Sequence, residues 1–210
     1  MRIERIEPSK HKKDRVLVFL EGGELLKITE NELLRYDLRP DGELTEELLE
    51  EIKKTAAVSE MKARGARLTG SRMLSKKQVV EYLTRRGGDR EAAEDTALWL
   101  EDLGAVDEEA YGLAVVRHYG AAGYGAGRVR QELSRRGVPR ELWEELLLQL
   151  PPAEEAVERF VQNKCKGKQP DKEQLRKLSA ALQRRGFSWQ EMEPVFRRLE
   201  AEAIENETLE

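Results

Sequence analysis

Three arginine pairs recur along the chain at an almost constant spacing. They lie in LTRRG (83–87), LSRRG (133–137) and LQRRG (182–186), and the glycines that follow them are 50 and 49 residues apart. Guanidinium groups are strong hydrogen-bond donors to phosphate and carboxylate oxygens. Residues of this type at this spacing are therefore suited to bind an extended anion, either a nucleic acid or an acidic protein surface.

The charge of the chain alternates in sign with the same period. The formal net charge is −4, yet the segments 61–90, 117–140 and 159–186 carry +7, +5 and +7, and the segments 91–116, 141–158 and 187–210 carry −8, −6 and −5. Glycine ends helices readily and cations favour a helix C-terminus, so capping alone can explain one arginine pair. Three basic blocks in register with the glycines favour a shared binding surface.

The N-terminal residues read as a small β subdomain. RVLVFL (15–20) and LLKI (25–28) flank Gly22-Gly23, which predicts a hairpin, and MRIERIE (1–7) is a plausible third strand. Thr29 and Glu32 then match a capping box, which predicts a short helix.

The remaining chain predicts helices only. Apolar residues recur at helical spacing, and Ser75 with Gln78 forms another capping box. Each period of about 50 residues holds three amphipathic helices, the middle one ending in Arg-Arg-Gly. The predicted fold is mainly α, an elongated solenoid-like array of three tandem three-helix repeats after the hairpin. Its segments are 1–44 (hairpin and short helix), 45–104, 105–151 and 152–210, the last repeat carrying an acidic tail.

Stacking by a constant screw would place equivalent helices on one surface. The basic middle helices would then form one stripe, and the acidic third helices another. A positive stripe of this kind is typical of a protein that binds a polyanion or an acidic groove.

Residues for catalysis or metal binding are scarce. The two histidines, His11 and His118, and the single cysteine, Cys165, have no partners at ligand spacing, so we predict no catalytic residue, cofactor or metal. The glycine-rich stretch GYGAGRVRQEL (123–133) lacks the features of a nucleotide loop and favours a turn between helices. The tryptophans Trp99, Trp143 and Trp189 lie on apolar stripes and are expected in the core, whereas Tyr124 is expected to be exposed.

Composition limits the location and size of the protein. A chain of 210 residues with 37% charged residues and a mean hydropathy of −0.69 must confine its apolar residues to one stripe per element. It contains no apolar run of membrane-spanning length and no apolar centre of a signal peptide. With one cysteine as well, we expect a cytoplasmic protein without membrane contact.

The chain from about residue 61 to 150 resembles the RecX family, regulators of the RecA recombinase. The resemblance consists of five features in a fixed order. They are a helix ending in a basic pair and glycine, a helix ending in Leu-Gly, an acidic pair, an aromatic residue and the pattern "R-x-R-x-E-L-x-x-x-G". The matching positions are Arg72, Ser75, Leu83, Arg85, Arg86, Gly87, Leu103, Gly104, Asp107, Glu108, Tyr111, Gly127, Arg128, Arg130, Glu132, Leu133 and Gly137. The segment VFLEGGELLKITENELLRYDL (18–38) also resembles longer members that carry a β-hairpin.

The resemblance implies a non-enzymatic modulator built from three three-helix repeats. Such proteins bind the RecA–single-stranded-DNA filament in its groove and reduce its ATPase and strand-exchange activities, in DNA repair, recombination and the SOS response. We expect a monomer whose partner is the RecA filament. Single- or double-stranded DNA is a further candidate partner. The predicted filament- or DNA-binding residues are Arg72, Lys76, Lys77, Arg85, Arg86, Arg128, Arg130, Arg135, Arg136, Arg184 and Arg185.

Two other functions stay open on the sequence alone. One is a nucleic-acid-binding helical repeat that acts by competing for DNA, although a pI of about 5.6 argues against this as the main role. The other is an assembly scaffold whose charge pattern is simply solvated.

Overall fold

The computed structural model describes residues 1–166 and 168–208, with side chains described through Ala201. Three strands come first: β1 (Ile3–Pro8), β2 (Arg15–Leu20) and β3 (Leu25–Thr29). The helices follow: α1 (Glu30–Arg35), α2 (Glu46–Thr69), α3 (Lys76–Arg85), α4 (Arg90–Asp102), α5 (Glu108–Ala121), α6 (Ala126–Arg136), a 3₁₀ turn (Arg140–Leu142), α7 (Trp143–Leu147), α8 (Ala153–Cys165), α9 (Lys172–Arg184) and α10 (Trp189–Thr208). The predicted fold, helical repeats after a small β subdomain, is confirmed.

The β subdomain is an antiparallel meander in the order β1-β2-β3. Gly22 and Gly23 have φ values of +92° and +85°, as the tight turn between β2 and β3 requires. Val18 lies opposite Leu26 and Ile6 in the ladder. The plausible third strand is therefore present, and the alternating buried residues of β2 and β3 give the sheet one apolar face.

Both predicted capping boxes are present. The hydroxyl of Thr29 accepts from the backbone N–H of Glu32, whose carboxylate accepts from the N–H of Thr29. Ser75 and Gln78 make the same reciprocal pair, at 3.3 Å each. Because these contacts lie within four residues, the sequence was sufficient to predict them.

The chain forms two compact units. The first comprises Met1–Arg72 and Val79–Ala105, and the second comprises Met73–Gln78 and the chain from Val106 onward. In the first unit the sheet packs on α2 through residues such as Val18, Ile28 and Ile52. The second unit contains one core in α5–α7 and another in α8–α10.

One prediction about the core is wrong. Trp189 is 52% exposed, and its ring lies against Phe196 at 6.2 Å between centroids. Trp189 is the first residue of α10. A side chain at the end of a helix can lie beyond the core that the rest of the helix covers. Trp99 and Trp143 are half-buried, as is Tyr124.

Candidate interaction surface

In the second unit, the Arg-Arg-Gly end of α6 contacts the start of α3. The carbonyl oxygen of Arg136 accepts from the hydroxyl of Ser75 at 2.6 Å, and that of Arg135 accepts from Lys77 Nζ at 3.0 Å. The last carbonyls of a helix have no partners within it, and they carry the negative end of its dipole. Residues at the start of α3 supply the missing donors.

The Arg-Arg-Gly end of α9 likewise contacts the start of α6, here through backbone donors. The N–H of Gly125 donates to the carbonyl of Arg185 at 2.9 Å, and the N–H of Gly127 donates to that of Gly186 at 3.0 Å. A Cβ on Gly186 would lie 2.1 Å from the backbone nitrogen of Arg128. Glycine is therefore required at this contact by the close approach of two backbones as well as by its φ of +90°.

We call these two contacts the repeat joints. In each, the end of a middle helix meets the start of the middle helix one repeat earlier in the sequence. The third Arg-Arg-Gly, at the end of α3, meets a residue of α2 in the first unit, where Arg64 Nη1 donates to the carbonyl of Arg86 at 3.3 Å. The joints were missed at the sequence level, although Gly125 and Gly127 at the start of α6 were a usable signal.

The side chains of α6 gather around a buried carboxylate. Glu132 is 5% exposed, and its oxygens lie 3.0 Å from Arg128 Nη2, 2.7 Å from Arg135 Nη2 and 3.5 Å from Arg136 Nε. Arg136 also donates to the Tyr111 hydroxyl at 3.1 Å. We call these four charged residues the Glu132 cluster, in which two positive charges are in excess.

The cluster keeps Glu132 ionised. Burial alone would raise its pKa, but hydrogen bonds from Arg135 and Tyr119 and the charges of Arg135 and Arg128 outweigh burial and hold the pKa of Glu132 below its usual value. Sequence reasoning treated Glu132 as one position of a resemblance and missed this role.

Arg185 has a different environment. Its Nη1 donates to the carbonyls of Ala122 and Gly123 at 3.0 and 3.1 Å, and its guanidinium lies 5.1 Å from the Tyr124 ring centroid and 5.0 Å from that of Phe160. A pocket of about 280 Å³ adjoins it, with Arg159 and Lys164 in its lining. Three cations thus face this pocket, and its described lining holds no carboxylate.

The other predicted binding residues are dispersed. Arg130 pairs with Glu144 at 3.3 Å, Arg85 Nε donates to the carbonyl of Glu81, and the Arg86 guanidinium lies 5.2 Å from the Tyr82 ring centroid. The backbone N–H of Lys76 donates to the buried Glu108 at 2.7 Å. Arg72 and Arg184 are exposed, and within the described residues they make no ion pair or hydrogen bond.

Neither a metal centre nor a membrane span can be identified in the described part of the chain. No three histidine, cysteine, aspartate or glutamate side chains there are grouped to hold a metal ion. None of the described helices combines the length and the apolar character needed to cross a bilayer.

The α5–α7 segment matches the family model described as "RecX, second three-helix domain", over residues 107–147. The match begins at Asp107, the N-cap of α5, and ends at Leu147, the last residue of α7. Proteins named "Regulatory protein RecX" align with more of the chain. That of Geobacillus kaustophilus (strain HTA426) is 28% identical over 179 residues, 82% of this chain and 66% of the relative. That of Streptococcus pneumoniae (strain Hungary19A-6) is 26% identical over 213 residues, 100% of this chain and 81% of the relative.

The chain is similar to RecX proteins over most of its length. A solved structure titled "Crystal structure of regulatory protein RecX" has a TM-score of 0.72 at 23% identity, covering 91% of this chain and 97% of that one. RecX from Lactobacillus salivarius has a TM-score of 0.59 at 16% identity, covering 69% and 97%. At these identities the solved RecX structures establish a shared fold, while the named RecX relatives support a regulatory role.

Proposed function

We propose that this protein is a non-enzymatic regulator of the RecX type, which binds the RecA–single-stranded-DNA filament and lowers its ATPase and strand-exchange activities. The observation that carries the proposal is the alignment with proteins named regulatory protein RecX over 82% to 100% of the chain. No group of side chains described above combines a nucleophile, a base and a means of orienting them, so the proposal requires no catalytic step.

The repeat joints suit such a role. In the second unit, backbone hydrogen bonds fix the start of α6 to the end of α9, so groups on the two helices keep a constant separation. A protein that holds several weak contact groups at fixed spacing gains affinity because each contact raises the effective concentration of the next.

The proposed contact residues fall into two classes. Arg72, Arg85, Arg130 and Arg184 are exposed and are proposed as direct contacts. The second class also makes contacts within the fold and comprises Lys76, Lys77, Arg86, Arg128, Arg135, Arg136 and Arg185. Arg135 belongs to both classes, because its side chain remains 65% exposed while it pairs with Glu132.

The first experiment measures the DNA-dependent ATPase activity of RecA with increasing amounts of the protein. We expect inhibition at substoichiometric amounts. The test variant is Arg85→Glu/Arg184→Glu, since neither side chain pairs with a carboxylate in the described structure. If these arginines contribute at the edge of an interface, half-inhibition should need about tenfold more of the variant than of the natural protein. This change corresponds to a loss of roughly 1.4 kcal/mol of binding free energy.

A matched control keeps the change of charge equal. Arg90→Glu/Arg197→Glu also reverses two exposed arginines, which pair with Glu94 and Glu193 on their own helices. This control should inhibit like the natural protein. Absence of inhibition by the natural protein would reject the regulator, and equal loss in both variants would reject the assigned residues.

The second candidate is a nucleic-acid-binding protein that competes for DNA. The observation that favours it is the pocket beside Arg185, which is lined by cations and by the aromatic ring of Phe160. Phosphate contacts weaken steeply with salt. Inhibition that appears only when the protein coats all the DNA, and that disappears as salt rises, would favour this candidate over a filament contact.

A further inference from the structure

A pocket in the first unit lies between the β subdomain and α2. Its volume is about 680 Å³, within the range of roughly 300–1,000 Å³ that is common for small-ligand sites. Leu17 and Leu25 from the sheet and Ala56 from α2 form apolar lining. None of the arginine pairs contributes to this pocket.

Cations dominate its walls. Lys12, Arg15, Lys27 and Arg64 line the pocket, and Glu60 is the one carboxylate in its described lining. Lys12 Nζ lies 3.0 Å from Glu60 Oε1, and Arg64 Nη2 lies 3.7 Å from the same oxygen. One carboxylate cannot balance four cations, so three positive charges remain uncompensated in the lining.

Glu60 is firmly ionised, so it already provides all the negative charge it can. Burial would raise the pKa of Glu60, but the hydrogen bond from Lys12 and the charges of Lys12, Arg15 and Arg64 together lower it. The positive excess is therefore a property of the folded pocket at neutral pH.

Arg15 is the informative member because it is only 5% exposed. Its Nη2 lies 2.9 Å from Glu60 Oε2, but the two groups are not oriented for a regular hydrogen bond, and this buried nitrogen has no other acceptor among the described residues. Its Nη1 donates to the carbonyl of Lys27 over a long 3.5 Å. Glu60 offsets the charge of Arg15, but a buried N–H donor without a hydrogen-bond acceptor is costly, so a further acceptor in the pocket would be stabilising.

We propose that this pocket binds a phosphate group carried by a nucleotide or by a nucleic-acid strand. The guanidinium groups of Arg15 and Arg64 and the ammonium groups of Lys12 and Lys27 supply donors to the phosphate oxygens. The apolar lining accommodates the sugar or base attached to that phosphate. The proposal is independent of RecA binding, because it uses residues outside the proposed filament contact.

The test measures binding of a 3′-fluorescein-labelled oligothymidylate to the full chain by fluorescence anisotropy at low salt. Unlabelled oligothymidylate, adenosine monophosphate and inorganic phosphate serve as competitors. The pocket variant is Lys12→Gln/Lys27→Gln, which leaves buried Arg15 in place so that the protein folds. Because two phosphate contacts are removed, the affinity for the labelled strand should fall at least about tenfold.

Lys10→Gln/Lys13→Gln is the matched control. It removes two exposed lysines from the segment that carries Lys12, and neither lines the pocket. This control should lose much less affinity than the pocket variant, because neither lysine supplies a donor to the pocket. Circular dichroism verifies that both variants are folded.

The outcomes separate the two sources of phosphate. Competition by adenosine monophosphate and inorganic phosphate that the pocket variant abolishes supports a nucleotide site, whereas competition by the unlabelled strand alone supports a site for a nucleic-acid backbone. Three results would overturn the proposal. They are equal affinity of the natural protein and the pocket variant, equal loss of affinity in the pocket and control variants, and no binding of any probe. None of these results depends on RecA, so the failure of either proposal is recognised separately.

Discussion

At the scale of single residues, Glu132 explains why arginines accumulate around α6. A carboxylate that is 5% exposed is costly to bury, and three guanidinium groups repay that cost by pairing with it. The arginine pair at the end of α6 is thus part of the fold as well as a proposed contact. A charge reversal at Arg135 and Arg136 would disturb both, which makes those residues poor choices for testing the interface alone.

Replacing Glu132 by glutamine should destabilise the second unit by about 2–3 kcal/mol, since charge-assisted hydrogen bonds are lost and the guanidinium groups lose their counter-charge. Glu144→Gln is the matched control. Glu144 is 84% exposed and pairs with Arg130, so its loss should cost less than about 1 kcal/mol. Urea unfolding followed by circular dichroism measures both, and equal costs would show that the Glu132 cluster contributes no more than a surface pair.

The effect of Glu132 should depend on pH in a defined direction. Its pKa in the folded protein lies below the ordinary value of 4.5. A lowered folded pKa gives stability that is fully present above the unfolded pKa and is lost as the pH falls through the folded pKa. The difference between the natural protein and Glu132→Gln should therefore be constant near neutral pH and shrink below pH 4.5. A difference that grew on acidification would contradict the assignment.

At the scale of elements, the Arg-Arg-Gly ends have two functions that the sequence alone did not separate. The glycine ends the helix, and in the second unit the carbonyls before it also accept donors from another repeat. Gly87 and Gly186 isolate these functions, because both have positive φ values, +84° and +90°. A Cβ on Gly87 would meet nothing within 4 Å, whereas one on Gly186 would lie 2.1 Å from the nitrogen of Arg128.

Gly87→Ala should therefore cost only the backbone strain of a left-handed alanine, about 1 kcal/mol. Gly186→Ala should cost roughly 3 kcal/mol or more, because the added methyl group separates α9 from the start of α6. Denaturant titrations of the two variants provide the comparison. If the two costs are similar, the joint contributes nothing beyond helix capping.

The limits of sequence prediction follow from the range of each interaction. The capping boxes at Thr29 and Ser75, the Gly22-Gly23 turn and the helix-ending glycines were predictable because their partners lie within a few residues. The joints were not, because they pair carbonyls with donors about 60 residues away, as in Arg136 with Ser75. Helical periodicity identifies the face of a helix but not the element that covers it, which is also why Trp189 was placed in the core.

At the scale of the whole molecule, the compact units divide α3. Val79–Ala105, which includes the rest of α3, belongs to the first unit, whereas Met73–Gln78 belongs to the second. The contacts explain this division. Ser75 and Lys77 donate to carbonyls of α6, and the N–H of Lys76 donates to Glu108 of α5. The start of α3 is thus stabilised by the second unit.

A cavity in a core of the first unit and one in a core of the second should therefore open different parts of the chain. Ile52→Ala and Leu133→Ala each remove a fully buried side chain, at a cost of about 2–5 kcal/mol. In hydrogen exchange followed by mass spectrometry, Ile52→Ala should accelerate exchange in β1–β3 and α2. Leu133→Ala should accelerate it in α5, α6 and the Lys76 amide, because that amide depends on Glu108. The Lys76 amide reports which unit holds the start of α3. Faster exchange of this amide in Ile52→Ala alone would assign the start of α3 to the first unit. Uniformly faster exchange along the chain in both variants would mean that the two units unfold as one.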